Sequence, residues 1–149
     1  MRQTVRAIVI NGGQLLVMDR NRFGNRYLAL PGGAIEIGEQ REEALLRELQ
    51  EEATITVNDP RLVIIEDAGP MYGTQYIYLC SYVSGEPRLD PASPEAKISA
   101  LGKNLYQPKW LPLSELPTAN LLPAELKELL VQLVQDGFPD QPVRLTIRG

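Results

Sequence analysis

The 149-residue chain is predicted to fold as a single α/β (α+β) domain spanning residues 1–149. Three observations predict this. Short runs rich in β-branched and aliphatic residues lie on both sides of one acidic, helix-forming stretch. A second, amphipathic helix pattern stands near the C-terminus. The length suits one hydrophobic core and requires no second domain.

The elements follow in order. Thr4–Ile10 and Gln14–Arg20 are predicted strands joined at Asn11-Gly12-Gly13, a hairpin signal because Asn and Gly tolerate positive φ. A polar, Gly-containing loop is expected from Arg20 to Tyr27, then a short strand Tyr27–Leu30 ended by Pro31-Gly32-Gly33. From about Glu39 to Ala53 good helix formers run without Pro or Gly, with acidic residues at the start where they suit the helix dipole. Strands are expected at Leu62–Glu66 and Thr74–Val83, the second with Tyr76, Tyr78 and Cys80 on one face. Residues 84–108, rich in Pro, Ser, Gly and Lys, read as a long loop, followed by a short strand Lys109–Leu111 and a turn or short helical piece over Pro112–Pro117. Pro123–Gln135 is an amphipathic helix whose Leu126, Leu129, Leu130 and Leu133 stripe is read as core packing, and Val143–Ile147 is a terminal strand.

Composition limits the chemistry. The chain has no histidine, which removes His-containing zinc sites, Ser-His-Asp and Cys-His arrangements and imidazole bases. Carboxylates, Tyr, Lys, Ser and Thr remain. One cysteine, Cys80, excludes an intramolecular disulfide and reads as a core thiol. The net charge of −4 is unevenly distributed. Residues 1–30 carry five arginines against Asp19 alone, whereas residues 31–59 carry eight carboxylates against Arg41 and Arg47. A basic segment running into a carboxylate cluster suits a polyanion beside a cation, though charge runs also form plain solvated faces. No nucleic-acid or membrane partner is expected. No apolar run approaches the roughly 18 residues of a membrane span or resembles an export signal, so the expected location is cytoplasmic.

On a helical wheel with Glu48 as origin, Glu52 lies at about +40° and Glu51 at about −60°, so three carboxylates share one face. Leu45, Leu46, Leu49 and Ala53 occupy the adjoining sector, which lets the helix pack on a sheet and hold its acidic row at the edge of the core. Like charges at this spacing repel, and a divalent cation converts the repulsion into coordination. All-oxygen ligands select Mg²⁺ or Mn²⁺. The alternative from spacing alone is an exposed acidic face with Arg47 and Glu51 as an i, i+4 ion pair.

The wider pattern is more specific. Gly33, five residues, Glu39, seven residues, then Arg47-Glu48-Leu49-Gln50-Glu51-Glu52-Ala53-Thr54-Ile55 resembles the Nudix hydrolase box, G-x5-E-x7-R-E-U-x-E-E-x-G-U with U aliphatic. Every charged position matches. Thr54 stands where the family has glycine, and because a β-branched residue tolerates a left-handed cap poorly the exit turn is expected to differ. Leu28-Ala29-Leu30-Pro31-Gly32-Gly33 resembles the family's strand into the box, and Lys109-Trp110-Leu111-Pro112-Leu113-Ser114-Glu115-Leu116 its downstream Trp segment.

The resemblance implies the Nudix fold, a mixed sheet sandwiched between helices. It also implies a metal-dependent pyrophosphohydrolase acting on a nucleoside diphosphate linked to another moiety, a nucleotide, nucleotide-sugar or dinucleotide, with Mg²⁺ or Mn²⁺. By position, Glu48, Glu51 and Glu52 are the implied metal ligands, with a carbonyl at Gly32 or Gly33 completing the shell. Arg47 orients a carboxylate, and Glu39 is a further ligand, a partner of Arg47, or a base. The base that deprotonates water is Glu48 or, from the loop Ser93-Pro94-Glu95-Ala96-Lys97, Glu95. Arg20, Arg22 and Arg26 are candidate phosphate holders, and Tyr72, Tyr76 and Trp110 candidate base-stacking or packing residues. Pro70 and Tyr72 occupy positions that mark different subfamilies, so they do not select a substrate. A non-catalytic nucleotide sensor of the same fold is the alternative, which the complete set of box carboxylates disfavours. Such proteins are often homodimers, and the Val143–Ile147 strand offers an intermolecular edge.

Overall fold

The computed structural model describes residues 2–147. Eight strands, β1 Gln3–Asn11, β2 Gln14–Arg22, β3 Asn25–Ala29, β4 Gly32–Ala34, β5 Thr56–Asp67, β6 Thr74–Ser84, β7 Asn104–Pro112 and β8 Val143–Thr146, are interleaved with helices. These are α1 Arg41–Ala53, α2 Gly69–Tyr72, α3 Pro94–Ser99 and α4 Ala124–Asp136, with a 3₁₀ turn at Leu113–Thr118. The mixed sheet has the order β3-β2-β1-β6-β5-β8, with β4 on β1 and β7 on β2. β1 meets β2 only beside the hairpin turn, at Ile10–Leu15 and Asn11–Gln14. Beyond it the two strands diverge. β1 runs parallel to β6 and takes β4 across Thr4–Arg6, while β2 pairs along its whole length with β7.

Alternation along the strands builds a core on each face. Val5, Ala7, Val9, Leu16, Tyr78 and Cys80 pack with Ala44, Leu45, Leu49 and Ala53 of α1. Ile8, Leu15, Val17, Ile64 and Ile77 pack with Leu126, Leu130 and Leu133 of α4. The Leu stripe of α4 and the shared face of Tyr76, Tyr78 and Cys80 are therefore as the sequence predicts. Burial raises the Cys80 thiol to about 12, which leaves it unreactive. Leu46 departs from expectation: it is 46% exposed, outside the sector that Leu45 and Leu49 bury.

Pairing orders segments that read as loops. The predicted Arg20–Tyr27 loop is the end of one hairpin, with Arg22 opposite Asn25 and only Phe23 and Gly24, both at positive φ, turning the chain. Nine register pairs with β2 extend the predicted Lys109–Leu111 strand back to Asn104, and Ser93 caps α3 by accepting from the Ala96 N–H. The 84–108 stretch is thus partly helix and strand. The terminal strand lies parallel to β5 at the end of the sheet order, so its inner edge is used within the chain.

The exit from α1 corrects a second expectation. Thr54 does adopt the left-handed conformation, φ 57° and ψ 39°, with its N–H on the Gln50 carbonyl. Its hydroxyl donates to the Arg88 carbonyl at 2.7 Å, while Arg88 and Asp90 N–H groups close the Ala53 and Glu51 carbonyls. That hydrogen bond offsets the steric cost of a β-branched residue at positive φ, roughly 1–2 kcal/mol. Thr54→Val, which keeps the strain and loses the donor, is expected to cost about 1–2 kcal/mol in urea unfolding, and Thr54→Gly to stay within about 1 kcal/mol of the parent.

Candidate functional site

Arg47 organises the acidic face of α1. Its Nε and Nη2 donate to the two oxygens of Glu39 at 2.7 and 3.0 Å, a forked pair. Nη1 reaches Glu48 Oε1 at 2.9 Å and Glu51 Oε2 at 3.4 Å, and Nη2 also donates to the Ala34 carbonyl. One planar cation thus ties the helix to the loop before it and to β4. The Arg47 fork, with the Glu36 N–H, lowers the Glu39 pKa and holds it ionised. Glu39 is placed as the partner of Arg47, one of the three roles open to it.

Glu48 and Glu52, one turn apart, are 7% and 6% exposed. Together with Glu95 of α3 each offers an oxygen within 4.8 Å of the others. The glycines of β4 make this possible. A Cβ on Gly33 would stand 2.5 Å from the Glu48 carboxylate, and one on Gly32 would strike the Val5 carbonyl. The Gly32 N–H donates to Glu52 Oε2 at 3.1 Å, so the contact the structure provides at this glycine is a donor to the carboxylate. Burial raises Glu52 to about 8, opposed by Arg6 and the Gly32 N–H and assisted by Glu48 and Glu95. Burial also raises Glu48, against the pull of Arg47. Glu51 lies further out, beside Arg47, and is likewise raised by burial first.

The cluster suits a hard cation. Its donors are all carboxylate oxygens, and Glu95 Oε1 is buried without a hydrogen-bond partner in the described residues. α3 is what brings Glu95 there, and its Ser93 cap and Pro94 start are visible in the sequence once the region is read as a helix.

Of the basic candidates, Arg20 and Arg26 bond to partners of their own. Arg20 stacks 3.7 Å over the Tyr106 ring and bonds Asn104, Tyr27 and the Leu105 carbonyl. Arg26 pairs with Asp19 at 3.1 Å, and Arg22 is exposed at the end of β2. Trp110 packs edge-to-face on Tyr82 at 5.6 Å. Tyr76 lies under the Arg41 guanidinium at 4.3 Å. Tyr72, 58% exposed on α2, borders a cavity of about 560 Å³ together with Tyr27, Gln75, Glu66 and Arg6. Arg6 was not singled out from the sequence, where it interrupts an otherwise apolar strand. It donates to Gln75 Oε1 and the Leu30 carbonyl, both at 3.2 Å, and its charge acts on both Glu52 and Glu66.

The raised carboxylates carry a pH signature. Folded Glu52 retains a proton that the unfolded chain releases near 4.5, so stability is full below that pH and falls as pH rises toward about 8. Glu48 and Glu51 act in the same direction; Glu39, whose pKa is lowered, acts oppositely and only at more acidic pH. In EDTA the thermal midpoint should fall between pH 5 and 8, and fall less in Glu52→Gln. Mg²⁺ should raise it more at pH 8 than at pH 5. Equal slopes in the two proteins would contradict this assignment.

A family model described as the NUDIX domain matches residues 1–133. The chain is 32% identical over 122 residues to the NAD-capped RNA hydrolase NudC of Photorhabdus laumondii subsp. laumondii, covering 82% of this chain and 44% of that protein. It is 32% identical over 104 residues to the human 8-oxo-dGDP phosphatase NUDT18, covering 70% of this chain and 29% of that protein. It therefore spans under half the length of these curated relatives. The crystal structure of a NUDIX hydrolase from Nitrosomonas europaea shares the fold, with a TM-score of 0.76 at 16% identity over 99% of this chain and 79% of that one. With the domain match running through nearly all of its elements, this chain belongs to the NUDIX family.

Proposed function

We propose that the protein is a metal-dependent pyrophosphohydrolase. It would cleave the phosphoanhydride of a nucleoside diphosphate linked to another moiety, with water as the attacking group and Mg²⁺ or Mn²⁺ as cofactor. The observation that carries this reading is the convergence of Glu48, Glu52 and Glu95, with an unpartnered Glu95 oxygen. We assign Glu48 and Glu52 to hold the cation, with Glu51 on its outer side. A bound divalent cation would neutralise charge on the phosphoryl oxygens. Arg47 positions Glu48 through Nη1 and neutralises Glu39 and Glu51, which keeps this dense set of carboxylates compatible with a packed helix. Glu95, whose Oε1 has no competing donor, is assigned to take the proton from the attacking water.

The nucleotide part is assigned to the cavity beside Arg6, whose volume of about 560 Å³ lies within the range of small-molecule sites. In this reading Arg6, rather than Arg20 or Arg26, supplies positive charge between cavity and carboxylates. The expected location is the cytoplasm; among the described residues no helix is long and apolar enough to cross a membrane.

The test is a screen of the purified protein with Mg²⁺ and Mn²⁺ over nucleoside triphosphates, ADP-sugars, dinucleoside polyphosphates, NADH and coenzyme A. NAD-capped RNA is added because one relative bears that name. Release of a nucleoside monophosphate that EDTA abolishes is the expected result. Glu52→Gln and Glu95→Gln should each lower kcat/KM by well over tenfold, and Gly33→Ala, which drives a methyl into the Glu48 carboxylate, by a similar factor. Unchanged turnover in Glu52→Gln would overturn the reading, and tight nucleotide binding without turnover in either metal would replace it with a sensor.

A further inference from the structure

Glu66 is a buried acid that the carboxylate centre does not use. It lies near the end of β5, 4% exposed, in register with Gln75 of β6, and it lines the same cavity. Its Oε1 is buried with no hydrogen-bond partner among the described residues. The donors nearest to it bond to other groups. Gln75 accepts from Arg6 Nε at 3.2 Å and donates to the Tyr72 carbonyl at 3.4 Å, while Arg6 Nη1 donates to the Leu30 carbonyl. Much of the remaining wall, including Leu30, Ile77 and Leu126, is apolar. Such a wall accepts an acidic side chain at a stability cost unless something brings donors to it.

We propose that Glu66 is a specificity-determining residue of this cavity, its carboxylate accepting the adjacent N1–H and 2-amino N–H donors of a guanine-type base. This rests on the hydrolase reading above, with the diphosphate running past Arg6 toward Glu48, Glu52 and Glu95. The chemistry selects among bases. A carboxylate is an acceptor with two oxygens side by side, and guanine presents two parallel donors. Adenine and cytosine present a donor beside an acceptor, and uracil a single N–H between two carbonyls. Hypoxanthine keeps N1–H but lacks the amino group. Tyr27 and Tyr72 border the space where a flat ring would lie.

Ionisation of Glu66 is finely set. Burial raises it to about 7, Arg6 of β1 opposes, and Glu125 of α4 adds to the rise. Tyr27 of β3 and Tyr72 of α2 are the other titratable groups around the cavity, and Leu145 of β8 stands beside Glu66 in register. Guanine binding should therefore strengthen as pH rises through 7.

The test uses the α,β-methylene analogues of GDP, IDP and ADP, which cannot be cleaved at that bridge, titrated calorimetrically into the Mg²⁺-loaded protein. The GDP analogue is expected to bind at least tenfold tighter than the ADP analogue, with the IDP analogue between. Glu66→Gln, which preserves size, should weaken the GDP analogue at least tenfold and the ADP analogue less than threefold. It should also flatten the pH dependence between 6 and 8. Glu66→Leu, which removes the buried acid and should not lower the thermal midpoint, should lose the same preference. Equal or tighter ADP-analogue binding, or an equal loss for all three analogues in Glu66→Gln, overturns the role of Glu66. If adenosine substrates are hydrolysed in the screen, that outcome leaves the hydrolase reading standing. If no analogue binds and no nucleotide in the screen is hydrolysed, both fall together.

Discussion

The structure turns on how two carboxylates are kept at the edge of a packed core without a side-chain cation dedicated to both. Glu48 and Glu52 are held there by absence of volume: Gly33 leaves the space that the Glu48 carboxylate occupies, and Gly32 passes so close to β1 that only glycine fits. Glu52 receives a backbone N–H from Gly32, and Glu48 a single guanidinium nitrogen from Arg47. Burial dominates at both sites and raises their pKa values, so each carboxylate sits where its charged form is disfavoured.

α1 serves two surfaces because 3.6 residues per turn divides its sequence cleanly. Ala44, Leu45, Leu49 and Ala53 bury against β1 and β6, while Arg47, Glu48, Glu51 and Glu52 face the glycine strand and α3. Its C-terminal end anchors the segment that delivers Glu95. Thr54, Ala53 and Glu51 all bond to residues 88–90, so the cap that replaces glycine also ties the following crossover to the acidic helix. The cost of Thr54 at positive φ is thereby offset by a contact that glycine could not make.

Arg6 joins the two polar regions of the molecule. It belongs to β1, which pairs with β6 on one side and with β4 on the other. From that position it opposes the raised pKa values of both Glu52 and Glu66 while holding Gln75 in place. The charge asymmetry along the N-terminal segment is thus resolved unevenly. Arg20 and Arg26 bond within the β2, β3 and β7 region, whereas Arg6, half-buried in a hydrophobic run, reaches the cavity.

The sequence by itself determined the family, the acidic helix and most strands, because these depend on local periodicity and on fixed spacing along one helix. Gly33, Glu39, Arg47, Glu48 and Glu52 are set by that spacing. Three matters were decided only by tertiary structure. Residues 104–108 became strand through pairing with β2, since their own composition is that of a loop. Glu95, rather than Glu51, completed the tight oxygen cluster because the fold brings the α3 carboxylate to within reach of those on α1, from more than forty residues away in sequence. Arg6, Glu66 and Gln75 met around one cavity because β1, β5 and β6 are neighbours in the sheet order, and strand order follows from which faces can be buried together.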